Sequence, residues 1–248
     1  MTAFDLKCVT WNIHRARGRD GRVDPDRIHH AIATEIATND LDLLALQEAD
    51  EECRPHARLL DMKRLADDTS LSYMHDEDRL RWGAESDGFL GTILFLHPRF
   101  KVAHRDVLDL PGHCHRGAVS IEATHEGTPF RVMSMHLSLS QPLRILQMRI
   151  IGQYLRRRPD MQTVLLGDFN EWRPWGGLMF HPRILGRPFH GPARATFPSG
   201  RPFLPLDRIM TDKGSSIEAV SVLRSATFQN ASDHLPLRAN VKISGLRE

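Results

Sequence analysis

Lysine is scarce in this chain: five residues against 28 arginines in a total of 248. Acids nearly balance bases, 31 to 33, for a formal charge of +2, so no global field draws the protein onto a polyanion and any such contact is local. Cysteine is sparse too. Cys8, Cys53 and Cys114 have no paired spacing, which excludes a disulfide framework and a cysteine-based zinc site and points to a reducing compartment. No apolar run approaches the 18 residues of a membrane span. The first residues, Met-Thr-Ala-Phe-Asp-Leu-Lys, lack the basic start and apolar stretch of a secretion signal, so the expectation is a cytoplasmic protein without a transmembrane segment. No linker, repeat or charge block divides the chain. With 41% hydrophobic and 26% charged residues it is expected to form one globular domain over 1–248.

What is present is a succession of short strand-like runs and helical periodicities. Phe4–Trp11 reads as a strand followed by a Gly and Arg loop, Arg15–Arg22. Asp24-Pro25 marks a helix start, a capping carboxylate ahead of a proline, and Ile28, Ile32 and Ile36 give that helix one apolar face. Leu41–Leu46 has the pattern of a buried strand; a second helix is expected over Glu51–Ala66, and a strand over Gly91–Leu96. Gly117–Thr124 and Pro129–Met135 predict a hairpin with its turn at His125-Glu126-Gly127-Thr128. Pro142–Arg158 is helical by spacing, Thr163–Leu166 is a strand, and the Pro, Gly and Arg rich stretch from Arg173 to Arg201 is a long irregular loop. Leu206–Met210, Ile217–Leu223 and Leu235–Ile243 close the chain as strands. Crossovers mixed with hairpins predict an α/β domain with more than one sheet.

Six of these runs end in acids, amides or histidine, where sheet proteins carry ligand groups: Trp11-Asn12, Gln47-Glu48, Met135-His136, Asp168-Phe169-Asn170, Leu206-Asp207 and Ser232-Asp233-His234. Singly, each is an ordinary polar strand end. Together they form an oxygen-rich donor set, which suits Mg²⁺ or Mn²⁺ better than zinc. Such ions are used above all in phosphate chemistry, with a carboxylate orienting the attacking water and a histidine serving the leaving group. Asp168 and Asn170 alternate along an extended segment and so share a face.

These residues carry a resemblance to the endonuclease/exonuclease/phosphatase superfamily, which includes DNase I, AP endonucleases, sphingomyelinases and inositol polyphosphate phosphatases. The matching motifs run in family order from Trp11 to Leu237: Thr-Trp-Asn at 10–12, Gln-Glu at 47–48, Met-His-Leu at 135–137, Gly-Asp-Phe-Asn at 167–170, Leu-Asp-Arg-Ile at 206–209 and Ser-Asp-His-Leu-Pro-Leu at 232–237. The resemblance implies a four-layer α/β sandwich with two central sheets flanked by helices. It implies that Glu48 binds the divalent ion with Asn12 beside it and Asp233 reaching it directly or through water. It further implies that Asp168 aligns or deprotonates the nucleophilic water, that Asn170 bonds the scissile phosphate, and that His234 is oriented by Asp207. His136 resembles the histidine of the DNase, sphingomyelinase and phosphatase branches; AP endonucleases usually carry tyrosine there. One departure is Leu90-Gly91-Thr92-Ile93-Leu94, where many members have Gly-Asn-Ala-Ile-Leu, which puts substrate contacts at Gly91 in doubt.

Other candidates leave alternatives open. Arg116 resembles the Arg-Gly of family members and is either a phosphate contact or a surface residue. Arg15, with Arg17, Arg19 and Arg22, either grips a polyanion or decorates a solvated loop. Trp172 and Trp175 either meet bases or lipid, or pack their loop. His113-Cys114-His115 offers metal-ligand types, but adjacent residues point apart and no fourth ligand is visible. The arginine excess itself is either compositional bias or phosphate recognition. The expected function is a monomeric Mg²⁺- or Mn²⁺-dependent phosphoester hydrolase, leaning to a nucleic acid phosphodiesterase. The alternatives are a lipid, inositol or small-molecule phosphoesterase and, remotely, a non-catalytic binding module. Against the sphingomyelinase branch, no apolar membrane-inserting hairpin is visible in the sequence.

Overall fold

The computed structural model describes residues 2–37, 40–112, 116–212 and 216–244. The first strand, β1 (Phe4–Asn12), is followed by α1 (Pro25–Ala31). Asp24 caps the helix by accepting from the Arg27 N–H at 3.2 Å, as the Asp-Pro pair predicts. The helix continues into a π-turn over Ile32–Ile36, closed by Ala37 N–H to Ile32 O, and this wider winding keeps Ile28, Ile32 and Ile36 on one buried face. Next come β2 (Leu43–Gln47) and α2 (Met62–Thr69). The expected helix over Glu51–Ala66 is corrected here: residues 51–61 are irregular. Pro55 lacks the N–H a helix interior needs, and Asp61, accepting from Arg64 N–H at 3.0 Å, is the actual start.

The chain then supplies β3 (Ser72–Tyr73), β4 (Ile93–Leu96), β5 (Lys101–Leu110), β6 (Arg116–His125) and β7 (Thr128–His136). β5 has no counterpart in the sequence reading: it is an edge strand with His104, Arg105 and Asp106 in mid-run, and charged edges carry no hydrophobic alternation. The β6–β7 hairpin turns where expected, with Glu126 and Gly127 both at positive φ (47° and 77°), the mirror-image turn that matches strand twist. The remaining elements are α3 (Gln141–Arg157), β8 (Gln162–Asp168), α4 (Pro182–Leu185), β9 (Asp207–Thr211), β10 (Ile217–Val222), α5 (Ala226–Ala231) and β11 (Leu237–Ile243). The single turn α4 interrupts the long irregular stretch, and α5, also unanticipated, is capped by Ser225.

The strands form two sheets, ordered β10-β11-β1-β2-β4-β3 and β5-β6-β7-β8-β9. Alternation sorts their side chains. Leu6, Cys8, Leu43 and Ala45 of the first sheet meet Val132, Val164, Leu166 and Ile209 of the second in a central core. Val9, Trp11, Leu44 and Leu46 face α1, α2 and α5, with the Trp11 ring edge-on to Phe228 at 5.3 Å. Met133, Met135 and Leu165 face α3 and α4. This is the four-layer α/β sandwich with two mixed sheets that the resemblance implied. Among the described residues no helix is long and apolar enough to cross a membrane.

One buried histidine ties an irregular segment to the first sheet. His75 has one ring nitrogen 2.8 Å from Leu80 O, while the other accepts from the Leu94 N–H of β4 at 3.1 Å. Burial pushes its pKa down to about 4, with Arg105 and Arg81 acting in the same direction. The folded protein therefore refuses a proton that the unfolded chain takes up, so stability present above about pH 6.5 is lost as pH falls towards 4, by on the order of 3 kcal/mol in full. His75→Gln, which can keep both hydrogen bonds and does not titrate, is expected to flatten the fall in urea-unfolding free energy between pH 7 and 5; an unchanged slope would contradict this assignment.

Candidate active site

Strand parity continues the central core into a polar layer. In β1 the inward series Leu6, Cys8, Thr10 ends at Asn12; in β8 Val164 and Leu166 lead to Asp168; in β7 Val132 and Ser134 lead to His136; in β2 Leu43 and Ala45 lead to Gln47. Gln47 bridges the sheets, accepting from Thr10 Oγ1 at 3.2 Å and donating to Ser134 Oγ at 3.1 Å. Register fixes the rest: His136, Asp168 and Asp207 are paired neighbours across β7, β8 and β9, so their side chains stand in one row at one edge of the second sheet. Opposite them, Asn12 is paired with Gln47, and Glu48 follows at φ 54°, a left-handed turn that ends β2 at the site. Gly91, at φ 75°, abuts that turn: a Cβ there would stand 3.3 Å from Glu48 Cα, and Gly91 O accepts from Ala49 N–H.

Asp168 is the hub. Its Oδ2 accepts from Asn12 Nδ2 at 2.9 Å, across the sheets, and its Oδ1 accepts from Asn170 N–H at 2.9 Å. His136 Nε2 lies 3.6 Å and His234 Nε2 3.8 Å from the same Oδ2. His136 Nε2 is also 3.7 Å from Glu48 Oε1, which accepts from Asn12 Nδ2 at 3.4 Å. His234 Nδ1 and Asp207 Oδ2 are hydrogen-bonded at 2.9 Å, and Thr196 Oγ1 donates to that same carboxylate. The structure thus brings together Asn12, Glu48, His136, Asp168, Asn170, Asp207 and His234.

Electrostatics separates the two histidines. Burial, helped by Arg116, His234 and Arg15, drives His136 well below its ordinary value, so it is neutral. Burial opposes charge on His234 as well, but Asp207 and Asp168 outweigh it and hold the imidazolium. Burial raises Asp168, with His234 acting against it, which leaves a carboxylate readier to take a proton than an exposed one.

The other expected residues sit around this group. Asp233 stands at the mouth, its Oδ1 3.6 Å from His14 Nδ1. Arg15 is ion-paired with Glu48 and, at 3.4 Å, with Glu52. Arg116 is buried and its Nε donates to Leu137 O at 3.3 Å. Trp172 is exposed on the rim, with the Arg173 guanidinium 5.5 Å from its ring centroid. A cleft of about 430 Å³ joins Glu48, His136, Asp168, Asn170, Trp172 and His234. His113, Cys114 and His115 lie outside the described residues.

The donor chemistry fits a hard divalent cation. Glu48 and Asp168 present carboxylate oxygens held together by the Asn12 Nδ2, whose own Oδ1 accepts from His14 N–H at 3.0 Å, and Asp233 Oδ1 at the same cleft is buried with no hydrogen-bond partner among the described residues. Asp168, Asp207 and His234 also bring one ligand atom each within 4.8 Å of one another. In that trio two members are hydrogen-bonded to each other and one is a cation, which suits proton handling better than metal binding.

Residues 9–234 match the Endonuclease/Exonuclease/phosphatase family. YbhP of Escherichia coli K12, an uncharacterized protein, is 29% identical over 97% of both chains. The fold is similar to that of an endonuclease/exonuclease/phosphatase from Bacteroides vulgatus, with a TM-score of 0.74 at 14% identity over 97% of this chain and 100% of that one. It is likewise similar to the human Nocturnin catalytic domain, solved with a bound sulfate anion, with a TM-score of 0.70 at 18% identity over 98% and 97%. The fold is that of a superfamily of metal-dependent phosphoesterases. The chain belongs to the Endonuclease/Exonuclease/phosphatase family.

Ser232 is the residue that sequence reasoning passed over. Its Oγ donates to Asn12 O at 2.8 Å and accepts from His234 N–H at 3.1 Å, so one hydroxyl locks the end of β1 to the loop carrying Asp233 and His234. The only sequence signal was its place inside the Ser-Asp-His motif. Ser232→Ala is expected to cost about 1–3 kcal/mol in urea unfolding by leaving two buried backbone groups unpaired; a loss below a few tenths of a kcal/mol would show that the hydroxyl is dispensable.

Proposed function

We propose that the chain is a divalent-metal-dependent hydrolase of phosphodiesters. The observation that carries this reading is the convergence on one raised, buried carboxylate, Asp168, of a neutral histidine, a charged histidine and two asparagines drawn from both sheets. Asp168 is the base: its Oδ2 takes a proton from water as the water oxygen bonds to phosphorus. Asn12 Nδ2 and the Asn170 N–H hold its two oxygens in place for that transfer. His234, kept positive and oriented by Asp207, faces the charge that builds on the phosphoryl oxygens. Asn170, whose Nδ2 now donates to Leu137 O at 2.8 Å, is the neutral donor for a phosphoryl oxygen. His136 and Arg116 line the same cleft beside the bound phosphate, and the ester oxygen leaves as an alkoxide that takes its proton from solvent water. Glu48, its carboxylate oriented by Asn12, would hold Mg²⁺ or Mn²⁺ with Asp233 at the mouth, and the ion when bound neutralises phosphoryl charge and acidifies water.

Of the arginines after Asn12, Arg15 is paired with Glu48 and Glu52 and Arg17 donates to Gly21 O, which leaves Arg19 and Arg22 exposed to meet a polyanion. Nucleic acid stands as a second reading on these two and on the exposed ring of Trp172 at the cleft mouth, a face on which a base can stack. A non-catalytic module is disfavoured because the set around Asp168 is complete.

The test is an activity panel with Mg²⁺ or Mn²⁺ and an EDTA control, on bis-p-nitrophenyl phosphate, supercoiled plasmid, single-stranded DNA, RNA and a phospholipid. Asp168→Asn keeps the shape and removes the base; turnover is expected to fall by about 10²–10⁴-fold with metal and substrate binding retained, and full activity would sink the assignment. Glu48→Gln is expected to shift the activating metal concentration upward. A superimposable metal titration would place the ligand elsewhere.

A further inference from the structure

Five of the seven large hydrophobic side chains that stand exposed among the described residues lie on loops that leave one edge of the second sheet. Leu139 follows β7, Trp172, Trp175 and Leu178 follow β8, and Phe203 sits in the loop that enters β9; they are 53–76 % exposed. The topology forces the clustering. β7 and β8 are parallel and β9 is antiparallel to β8, so the two exits and the one entry share an edge, the edge that also holds His136, Asp168 and Asp207. Leu139 and Trp172 line the cleft itself together with Phe197 and Leu204, whose backbones pair at the base of a loop in which Phe203, next to that base, stays exposed and Arg201 sits near the tip.

Charge on the same loops is one-sided. Between Glu171 and Asp207 the chain contains five arginines and no acidic residue. Arg173 pairs with Glu171, and Arg187 with Asp160 and Asp212. Arg183, Arg194 and Arg201 are exposed and make no ion pair among the described residues. Outside these loops both kinds occur: Arg27, Arg64, Arg81, Arg99 and Arg105 each pair with a carboxylate, while Arg17, Arg19, Arg22, Arg54 and Arg149 are exposed and form no ion pair among the described residues. What sets these loops apart is arginine without any acid next to exposed apolar side chains. A chain of net charge +2 thus keeps uncompensated arginines beside its most exposed apolar side chains.

From this juxtaposition we infer that the loops after β7 and β8 and before β9 form a docking surface for an anionic phospholipid bilayer. The aliphatic and aromatic tips enter the headgroup boundary, the free arginines meet lipid phosphates, and the cleft opens toward the membrane face. A polynucleotide would use the tryptophan rings and the arginines, but it gains little from Leu139, Leu178 and Phe203 standing proud of the surface, whereas hydrocarbon gains from all five. The sequence shows no contiguous apolar hairpin, and the surface inferred here is of another kind, three loops assembled by the sheet. This surface goes beyond the hydrolytic reading and does not depend on it.

Flotation of the full chain with phosphatidylcholine vesicles, with and without about a third phosphatidylglycerol, tests it. Binding to the anionic vesicles is expected, weakened by salt. The triple substitution Trp175→Ser, Leu178→Ser and Phe203→Ser is expected to reduce it about tenfold or more, with the melting temperature and the hydrolysis of bis-p-nitrophenyl phosphate unchanged. Arg183→Gln with Arg194→Gln and Arg201→Gln, all exposed, is expected to abolish the preference for phosphatidylglycerol and stands in if the first variant does not fold. Absence of vesicle binding by the unaltered chain, or equal binding by the variants, would overturn the inference. So would vesicle indifference coupled to loss of single-stranded oligonucleotide binding in the serine variant, which would make the surface a nucleic acid rim. Loss of soluble diester hydrolysis in that variant would also overturn it, by making the loops part of the catalytic cleft. If the unaltered chain fails to hydrolyse the soluble diester, the hydrolase reading fails and the flotation result still decides this one.

Discussion

The hydrogen bond from Asn12 to Asp168 joins the last residues of two strands that belong to different sheets, 156 positions apart in the chain. It can form only because the sheets press their inner faces together, so that Leu6 and Cys8 on one side and Val164 and Leu166 on the other meet in a common apolar core. Where that core reaches the sheet edge, the same inward parity delivers polar side chains in place of apolar ones. The site is therefore the continuation of the core by residues that exchange burial for chemistry. Gln47, bonded to Thr10 and Ser134, is the transition layer between the two regimes.

This placement accounts for the protonation pattern. Carboxylates and imidazoles at the end of a dry interface lose water but gain one another, so burial raises Asp168 and lowers His136, while two carboxylates outweigh burial at His234. One arrangement sets a neutral histidine and a cationic histidine within 4 Å of a single oxygen of a raised carboxylate. The loops that surround it are held by a different device. Arg208 is buried and donates to the carbonyls of Glu171, Arg173 and Pro174; Arg144 donates to those of Ser138 and Leu139. A guanidinium can bridge several carbonyls at once where an ammonium would leave some unmet. Part of the arginine excess is thus structural cement beneath the cleft, a use that neither compositional bias nor phosphate recognition describes.

Much of the fold was legible in advance. The Asp24-Pro25 start, the Ile28, Ile32, Ile36 stripe, the hairpin at Glu126-Gly127 and the strands that end in Asn12, His136 and Asp168 follow from local rules of capping, turn geometry and alternation. Elements whose stability is not local were missed. The helix expected from Glu51 failed because apolar spacing says nothing of the Asp61 cap competing further along. Strand β5 is held by its pairing with β6 and exposes charged residues that mask any period.

The sequence by itself determined the inventory of the site: which strand ends carry acids, amides and histidines, and in what order, because a side chain's type and its parity along a strand are one-dimensional properties. Only the tertiary structure decided what those residues are to one another. Sheet register set His136, Asp168 and Asp207 in a row, sheet packing brought Asn12 and Glu48 against them, and the shared strand ends launched from one end of the sheet the loops that carry Leu139, Trp175 and Phe203. Distance, burial and charge balance arise between segments far apart in the chain, so no local pattern could state that Arg15 closes on Glu48 while Arg201 stays open to solvent.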